Sequence, residues 1–317
     1  MVKKEAKGRE YYEDELGCKM SVKIDAIENA WVSNVVSSNL ATGFLVLNQA
    51  RAITLQDCVV TELTGPIVPG ARSCYLISGQ LLLLLRCYAE TGRHNFNIGG
   101  RQCGPQAIVD CVASEEYSDS EPHCFYSVGG LFDNVHAQMK CQDRQTMGSG
   151  HGWQGGNYVF WNTRGRVTIN SPETARNMCF GHVGARGLGT FVYLALEWRK
   201  ENPNETWPTW TRIPQGYWES HGQHVSPRSL YLAQLEDRLG ADAVRAVATP
   251  EQISGSPLEA ILTNAERLGA KYTKEVRERA ADNRSWIRLK GKNQPFEEAE
   301  IRGDGELLPT DIPNHFE

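Results

Sequence analysis

Short β-rich segments recur along residues 21–197 and set the pattern of this chain. One recurring segment reads AITLQDCVV, LLLLLRCYA, QAIVDCVAS, GLFDNVHA and YVFWNTRG. A second segment lies between these and reads TGFLVLN, SCYLISG, HNFNIGG, HCFYSVG, HGWQGG and MCFGHVG. Turns rich in Gly, Asn, Ser and Pro separate the segments. Two short strands in each repeat of roughly 20 to 30 residues predict a parallel β-solenoid.

Equivalent positions of stacked coils lie about 4.8 Å apart, so the repeats predict ladders of side chains. One ladder aligns thiols with asparagines at intervals of 29, 24, 23 and 28 residues; its members are Cys58, Cys87, Cys111, Asn134 and Asn162. An aromatic ladder comprises Phe44, Tyr75, Phe96, Phe125, Trp153 and Phe180. Stacked aromatic rings and thiols fill solenoid cores, and asparagines hydrogen-bond along the corners. We therefore expect most ladder residues to be structural.

Changes in composition divide the chain into four segments. Residues 1–20 precede the first coil and are expected to form a makeshift cap, unless upstream coils are missing. Residues 21–197 are predicted to form the β-helix. Residues 198–225 are rich in Trp and Pro and are expected to lie irregularly on the side of the solenoid. In residues 226–317, two Ser-Pro steps precede apolar residues at helical spacing, which predicts an α-helical extension and an irregular tail.

Composition and charge exclude several functional classes. The chain has 317 residues and a net charge of −5, and its scattered basic residues argue against a nucleic-acid partner. The apolar run at residues 81–85 is too short to cross a bilayer, and no membrane partner is expected. The N-terminus lacks the apolar stretch of a signal peptide. Nine cysteines, none in a CxxC pair, do not define a disulfide framework.

Three of the eight histidines open the second segment in successive coils, and this register predicts one column of rings: His94, His123 and His151. The same position in other coils holds Thr42, Ser73 and Met178. Close imidazoles lower one another's pKa values, so the column is expected to titrate as a unit and to be mostly neutral near pH 7. If the rings instead point into the core, they are structural.

A neutral imidazole is a competent general base, and arginine or amide groups can stabilise the charge that forms when a proton leaves a carbon next to a carboxylate. This chemistry is that of a polysaccharide lyase acting on uronic acids. The residues expected to be catalytic are His94, His123, His151, Arg93, Arg144 and Asp119. The residues expected to bind the polysaccharide are Asn95, Trp153, Asn162, Trp207, Trp210 and Trp218. No cofactor is expected, and a zinc site ranks lower because a straight column of rings does not converge as tetrahedral ligands must.

The coil pattern, with GRHNF, GSGHGWQGG and YVFWNT, resembles the pectate-lyase-like superfamily, which is rich in polysaccharide lyases and glycoside hydrolases. The resemblance covers roughly residues 21–197 and implies an all-β chain folded as a right-handed parallel β-helix. No array of aspartates resembles the calcium site of true pectate lyases. Exported relatives carry additional N-terminal coils, so the resemblance implies a truncated relative of a secreted or periplasmic protein. An unprotected first coil is then expected to promote homo-oligomers.

Two other functions stay open from the sequence. The Gly-His-Gly at residues 150–152 is similar to that of polygalacturonases, which hydrolyse the same kind of chain with paired carboxylates. The acidic candidates are Asp110, Glu115, Glu116, Asp119, Glu121, Asp133 and Asp143. Of these, Asp110 and Asp133 are expected to be structural, and the SEEYSDSEPH segment at residues 114–123 is expected to be a solvated loop. The remaining alternative is a non-catalytic carbohydrate-binding or structural solenoid, in which tryptophans of residues 198–218 stack on sugars.

Overall fold

Parallel strands stack coil upon coil along most of the chain. The structure is a computed structural model that describes residues 2–6, 8–14, 16–187, 189, 198–206, 214–281 and 300–301. An antiparallel hairpin comes first, formed by β1 (Val2–Ala6) and β2 (Arg9–Glu13). The parallel sheet S3 follows the order β3 (Met20–Ile24), β6 (Thr42–Val46), β9 (Ser73–Ile77), β12 (His94–Ile98) and β15 (Glu121–Pro122).

Two longer sheets complete each coil. Sheet S1 contains, in stacking order, β4 (Glu28–Ser33), β7 (Arg51–Gln56), β10 (Gln80–Leu85), β13 (Cys103–Val109), β16 (Ser127–Asp133), β19 (Val159–Trp161), β21 (Met178–Phe180) and β23 (Tyr217–Glu219), with β18 (Gly155–Gly156) also beside β16. Sheet S2 contains β5 (Val36–Ser38), β8 (Val59–Thr61), β11 (Tyr88–Glu90), β14 (Val112–Ser114), β17 (His136–Cys141), β20 (Arg164–Ile169) and β22 (Val183–Gly187), with β24 (Glu300–Ile301) antiparallel to β22. This mostly β architecture of parallel sheets agrees with the predicted solenoid.

The early coils carry three strands rather than the predicted two. The chain passes from S3 to S1 to S2 and back, until S3 ends at β15. Within the segment predicted to be irregular, β23 continues S1 by pairing in parallel with β21. Inward-facing residues of adjacent S1 strands stack on each other, as Ile53 does with Leu82 and Phe132 with Phe160. Side chains alternate between the inside and the outside along each strand, and the inward-facing ones form one continuous core that extends from Ile24 to Cys179.

The thiols and the asparagines that were predicted to share one ladder occupy two neighbouring positions of the coil, one residue apart. The bend between S1 and S2 places residues with φ between +50° and +57° at one position, and these are Asn34, Asp57, Arg86, Asp110, Asn134 and Asn162. Cys58, Cys87 and Cys111 each follow that bend and point into the core. The asparagines occupy the bend because Asn and Asp tolerate left-handed backbone better than most residues.

The aromatic ladder is confirmed only for its first three members. Phe44 stacks on Tyr75 at 5.1 Å between ring centroids, and Tyr75 stacks on Phe96 at 5.5 Å. The extension to Phe125, Trp153 and Phe180 is wrong: Phe125 is 40% exposed, Trp153 forms an antiparallel bridge with Asp143, and Phe180 lies in S1. The ladder stops because S3 itself ends at β15.

The N-terminal hairpin lies on the flank of the solenoid rather than over its first coil. The Arg9 guanidinium pairs with Glu115 and lies 4.4 Å from the centre of the Tyr117 ring. The Arg72 guanidinium packs beneath the Tyr11 ring. These contacts attach the hairpin to the middle coils. In the described part of the chain, Trp31 of the first S1 strand is 73% exposed.

Among the described residues, one short helix lies between β17 and β18, and five further helices follow β23. In chain order these are α1 (Met147–Gly150), α2 (Leu230–Leu239), α3 (Ala241–Val247), α4 (Pro250–Ser254), α5 (Pro257–Arg267) and α6 (Thr273–Ala281). Apolar residues of α5 and α6 pack on the outer face of S2, where Val59, Tyr88 and Val112 form a second buried cluster. No helix in the described ranges is long and apolar enough to span a membrane. All nine cysteines are free thiols.

Candidate functional site

The three histidines form a column of rings where sheet S3 ends. Ring centroids of His94 and His123 are 4.9 Å apart, and those of His123 and His151 are 5.2 Å apart. The predicted column is therefore confirmed as geometry. It is not a strand ladder, however: His94 opens β12, His123 follows β15, and His151 follows α1. Strand pairing sets Asn97 opposite Glu121, so His123 reaches His94 from a turn.

Glycines around His151 make room for its ring. A Cβ atom on Gly148 would lie 2.5 Å from the His151 ring. Gly148, Gly150 and Gly152 also have positive φ angles of 62°, 81° and 59°, a conformation that side chains with a Cβ rarely adopt. The main-chain N–H of His151 donates to the Met147 carbonyl at 3.0 Å, which closes α1. The Gly-rich segment thus serves to bring one imidazole against its neighbours.

His94 is a buried, neutral imidazole with both nitrogens engaged. Its Nε2 lies 2.7 Å from the Arg93 guanidinium, and its Nδ1 lies 2.7 Å from the Asp119 carbonyl. Arginine only donates, so Nε2 accepts and Nδ1–H donates. Burial is the main cause that lowers the pKa of His94, and it outweighs the nearby Glu121 carboxylate. His94 is thereby better suited to holding its neighbours in place than to taking up a proton.

His123 and Glu121 form a hydrogen-bonded pair at the centre of the column. The Nδ1 of His123 lies 2.8 Å from Oε1 of Glu121. Burial tends to raise the pKa of Glu121, but the neighbouring His94 imidazole, the hydrogen bond from His123 and the charge of Arg144 together hold it below its usual value. The carboxylate accepts Nδ1–H and leaves the imidazole lone pair on Nε2. This is the arrangement of a general base oriented by a carboxylate.

Further groups fix the Glu121 carboxylate and surround the pair with positive charge. The Gln154 amide donates to Oε2 of Glu121 at 2.5 Å, and its own oxygen accepts the main-chain N–H of Gln142. The Arg144 guanidinium donates to the His123 carbonyl at 3.2 Å and lies 3.7 Å from Glu121. With Arg93 on the ring of His94, these contacts place two guanidinium groups along the histidine column.

A strained aromatic turn flanks the last histidine. Phe125 and Tyr126 have φ angles of 54° and 57°, which are unfavourable for bulky side chains. The Phe125 ring lies 5.3 Å from that of His151, and the Arg101 guanidinium lies 4.8 Å from the Phe125 ring centre. Strained backbone of this kind clusters at functional sites.

Two residues expected beside the column have their side chains committed elsewhere. The Asp119 carboxylate pairs with Lys140 at 2.7 Å, and only its carbonyl contacts His94. The Asn95 side chain points away from His94, as alternation along β12 requires. Its oxygen accepts from the Cys74 thiol at 3.0 Å and from the Gly92 N–H at 3.1 Å.

The tryptophans and Asn162 are dispersed. Asn162 is buried, and its amide donates to carbonyls of Val225 and Arg228. Trp218 packs against Arg186 in the last described S1 strand, and Trp153 lies two residues after His151. Trp207 and Trp210 lie outside the described residues. The structure therefore assembles His94, His123, His151, Arg93 and Arg144, and leaves Asn162 and Trp218 apart.

The sequence expectation for the acidic segment at residues 114–123 is wrong in part. Glu116, Asp119 and Glu121 are all buried. One usable signal for Glu121 was present in the sequence, because it precedes His123 by only two residues. Gln154 and Arg101 carried no such signal, since their contacts with the site cross turns.

Two groups of three residues have ligand atoms close enough to hold a metal ion. They are His94, Glu121 and His123, and His123, Cys124 and His151, with all ligand atoms of each group within 4.8 Å of one another. Both groups share His123.

Glu116 has a buried carboxyl, which is expected to give the protein a specific pH dependence of stability. Its carboxylate accepts the Gln138 N–H at 2.6 Å and the Ser120 hydroxyl at 3.3 Å, and burial raises its pKa from 4.5 to about 8. Because the folded pKa is raised, the stabilising contribution is complete below pH 4.5 and is lost as pH rises through about 8. The Glu116→Gln variant has no carboxyl to ionise and therefore does not lose this stability. The difference in the free energy of unfolding, variant minus wild type, should rise by about 2–4 kcal/mol between pH 5 and pH 9.

Denaturant titrations across this pH range measure the effect. The exposed Glu173→Gln is the control and should track wild type at each pH. A Glu116→Gln variant that also tracks wild type would show that this carboxyl is ionised in the folded protein.

No protein-family model matches this chain, and no curated protein or solved structure shows significant similarity to it.

Proposed function

We propose that the protein cleaves an anionic, uronate-containing polysaccharide by β-elimination, with His123 as the base. The observation that carries this proposal is the Glu121–His123 hydrogen bond with Arg93 and Arg144 beside it. The pair supplies an imidazole that a carboxylate orients, and the guanidinium groups supply the positive charge that a uronate carboxylate requires.

The elimination uses each group in a defined role. Nε2 of His123 takes the proton from the carbon next to the uronate carboxylate, and the Glu121 carboxylate stabilises the imidazolium that forms. Arg93 and Arg144 bind the carboxylate and its enolate form. The electron pair of the broken C–H bond forms a carbon–carbon double bond as the glycosidic C–O bond breaks. The protonated His123 then returns its proton to the departing oxygen.

The contacts of four of the seven acidic candidates favour elimination over hydrolysis. Hydrolysis requires one carboxyl as acid and another as base or nucleophile. Asp119 pairs with Lys140, Glu115 pairs with Arg9 and Arg279, and Asp110 pairs with Arg228. Glu121 is committed to His123 and Gln154. An imidazole base requires no second carboxylate.

Membership of the right-handed, pectate-lyase-like β-helix superfamily is part of the same proposal. The parallel stacked sheets are compatible with it.

Export of the protein and self-association through the first coil stay predictions. Light scattering at high protein concentration tests self-association, and a mass of one chain throughout would oppose it.

The reaction type is tested by following ultraviolet absorbance during incubation with a panel of uronate-containing polysaccharides. Elimination leaves a conjugated double bond and should raise the absorbance together with new reducing ends. New reducing ends without absorbance would replace elimination by hydrolysis. If the absorbance does not rise and no reducing ends form with any polysaccharide of the panel, the result would favour the carbohydrate-binding solenoid.

A further inference from the structure

The turn after β15 brings a thiol close to two of the column's imidazoles. Ligand atoms of His123, Cys124 and His151 all lie within 4.8 Å of one another. The Nδ1 atom of His151 is buried and has no hydrogen-bond partner among the described residues. An unpartnered buried nitrogen is costly, which points to a ligand that completes it.

Cys124 provides the convergence that a straight column of imidazoles lacks. It is adjacent to His123 in the chain and only 8% exposed. Because Nδ1 of His123 bonds Glu121, Nε2 of His123 is the nitrogen that is available to a metal. A carboxylate bonded to the other nitrogen of a metal-binding histidine is a common outer-shell arrangement, and it increases the basicity of the ligand.

We infer that His123, Cys124 and His151 bind Zn²⁺, a borderline-soft ion that prefers imidazole and thiolate ligands and accepts three protein ligands plus water. Zinc binds the thiolate form of cysteine, so binding releases the Cys124 proton. The resulting thiolate and the Glu121 carboxylate offset the charge of the ion beside Arg144. Zinc on Nε2 blocks the lone pair of His123 and inhibits elimination. The inhibition rests on the proposed function, whereas the binding does not.

The other group of three is the poorer site. Both nitrogens of His94 are engaged, one by the Asp119 carbonyl and one by Arg93. A metal there would have to displace a guanidinium group. The unpartnered nitrogen of His151 and the soft thiol both favour the group that contains Cys124.

Zinc alone, added to the full chain, tests the inference. Competition with a chromophoric chelator measures affinity, and Co²⁺ substitution reports a thiolate-to-metal charge-transfer band. Wild type should bind one equivalent, and Cys124→Ser should weaken binding by about 100-fold or more and abolish the band. His151→Ala should also weaken binding. The matched controls are Cys18→Ser and Cys103→Ser, which alter exposed thiols and should bind as wild type does.

Circular dichroism establishes that each variant is folded, since serine closely matches cysteine in size. Wild-type affinity in Cys124→Ser, or loss of the band in Cys103→Ser, would overturn the zinc site. Zinc binding without elimination on any polymer would reject only the proposed function. Elimination that is unaffected by saturating zinc would reject the inhibition.

Discussion

Replacing His123 by alanine is expected to lower kcat for elimination by about 10²–10⁴-fold, because the reaction then lacks its general base. Arg93 and Arg144 remain, so substrate affinity and KM should change much less. His123→Gln is the more conservative variant, since its amide can still donate to Glu121 but cannot take a proton. Both variants should lose most of the absorbance signal, and His123→Gln should keep a melting temperature near that of wild type because its amide still donates to the buried Glu121 carboxylate.

The control for this prediction is a histidine away from the column. His221 stacks on His182 at 5.7 Å and bonds the Gly184 carbonyl. His221→Ala should retain the elimination rate. A folded His123→Gln variant with near wild-type kcat would assign the proton transfer to another group.

Replacing Asp110 by alanine is expected to destabilise the fold by about 3–5 kcal/mol, because it leaves a guanidinium group without its partner. Asp110 is 2% exposed and accepts two hydrogen bonds from Arg228, at 2.6 and 3.1 Å. It also accepts one from Gln252 at 2.6 Å, and Gln252 in turn accepts from Arg86. These contacts join the solenoid corner to the helical region.

Urea unfolding measures this loss, and an exposed ion pair provides the comparison. Glu28 lies 3.9 Å from Arg51 on the surface, so Glu28→Ala should cost no more than about 1 kcal/mol. Similar losses for Asp110→Ala and Glu28→Ala would mean that the C-terminal region adds little to the stability of the solenoid.

Repeat spacing alone predicts the stacked parallel strands, the first part of the aromatic ladder and the column of histidine rings. It fails where the coils change shape. The repeats align Cys111 with Asn134, but in the structure Asn134 is equivalent to Asp110. Both lie at the bend with positive φ, and the repeat spacing does not indicate which residue occupies the bend. The aromatic ladder ended with S3, although Phe125 continues the sequence pattern.

The site was predictable in its histidines and less so in its hydrogen bonds. Glu121 belonged to an acidic run typical of solvated loops, yet His123, Gln154 and Arg144 surround it in the fold. Gln154 and Arg144 come from segments that are distant in sequence from Glu121. The contact of Arg228 with Asp110 spans 118 residues. No periodic pattern records contacts of this length.

The central claim is that Glu121 holds His123 as the base of an elimination. Its most direct test is the initial rate of double-bond formation by wild type, Glu121→Gln and Glu121→Asp on the most reactive uronate polymer. We predict that Glu121→Gln lowers kcat by about 10²-fold or more with little change in KM, and that Glu121→Asp partly restores it. A folded Glu121→Gln variant that forms the double bond at the wild-type rate would contradict the claim, as would a wild type that forms none.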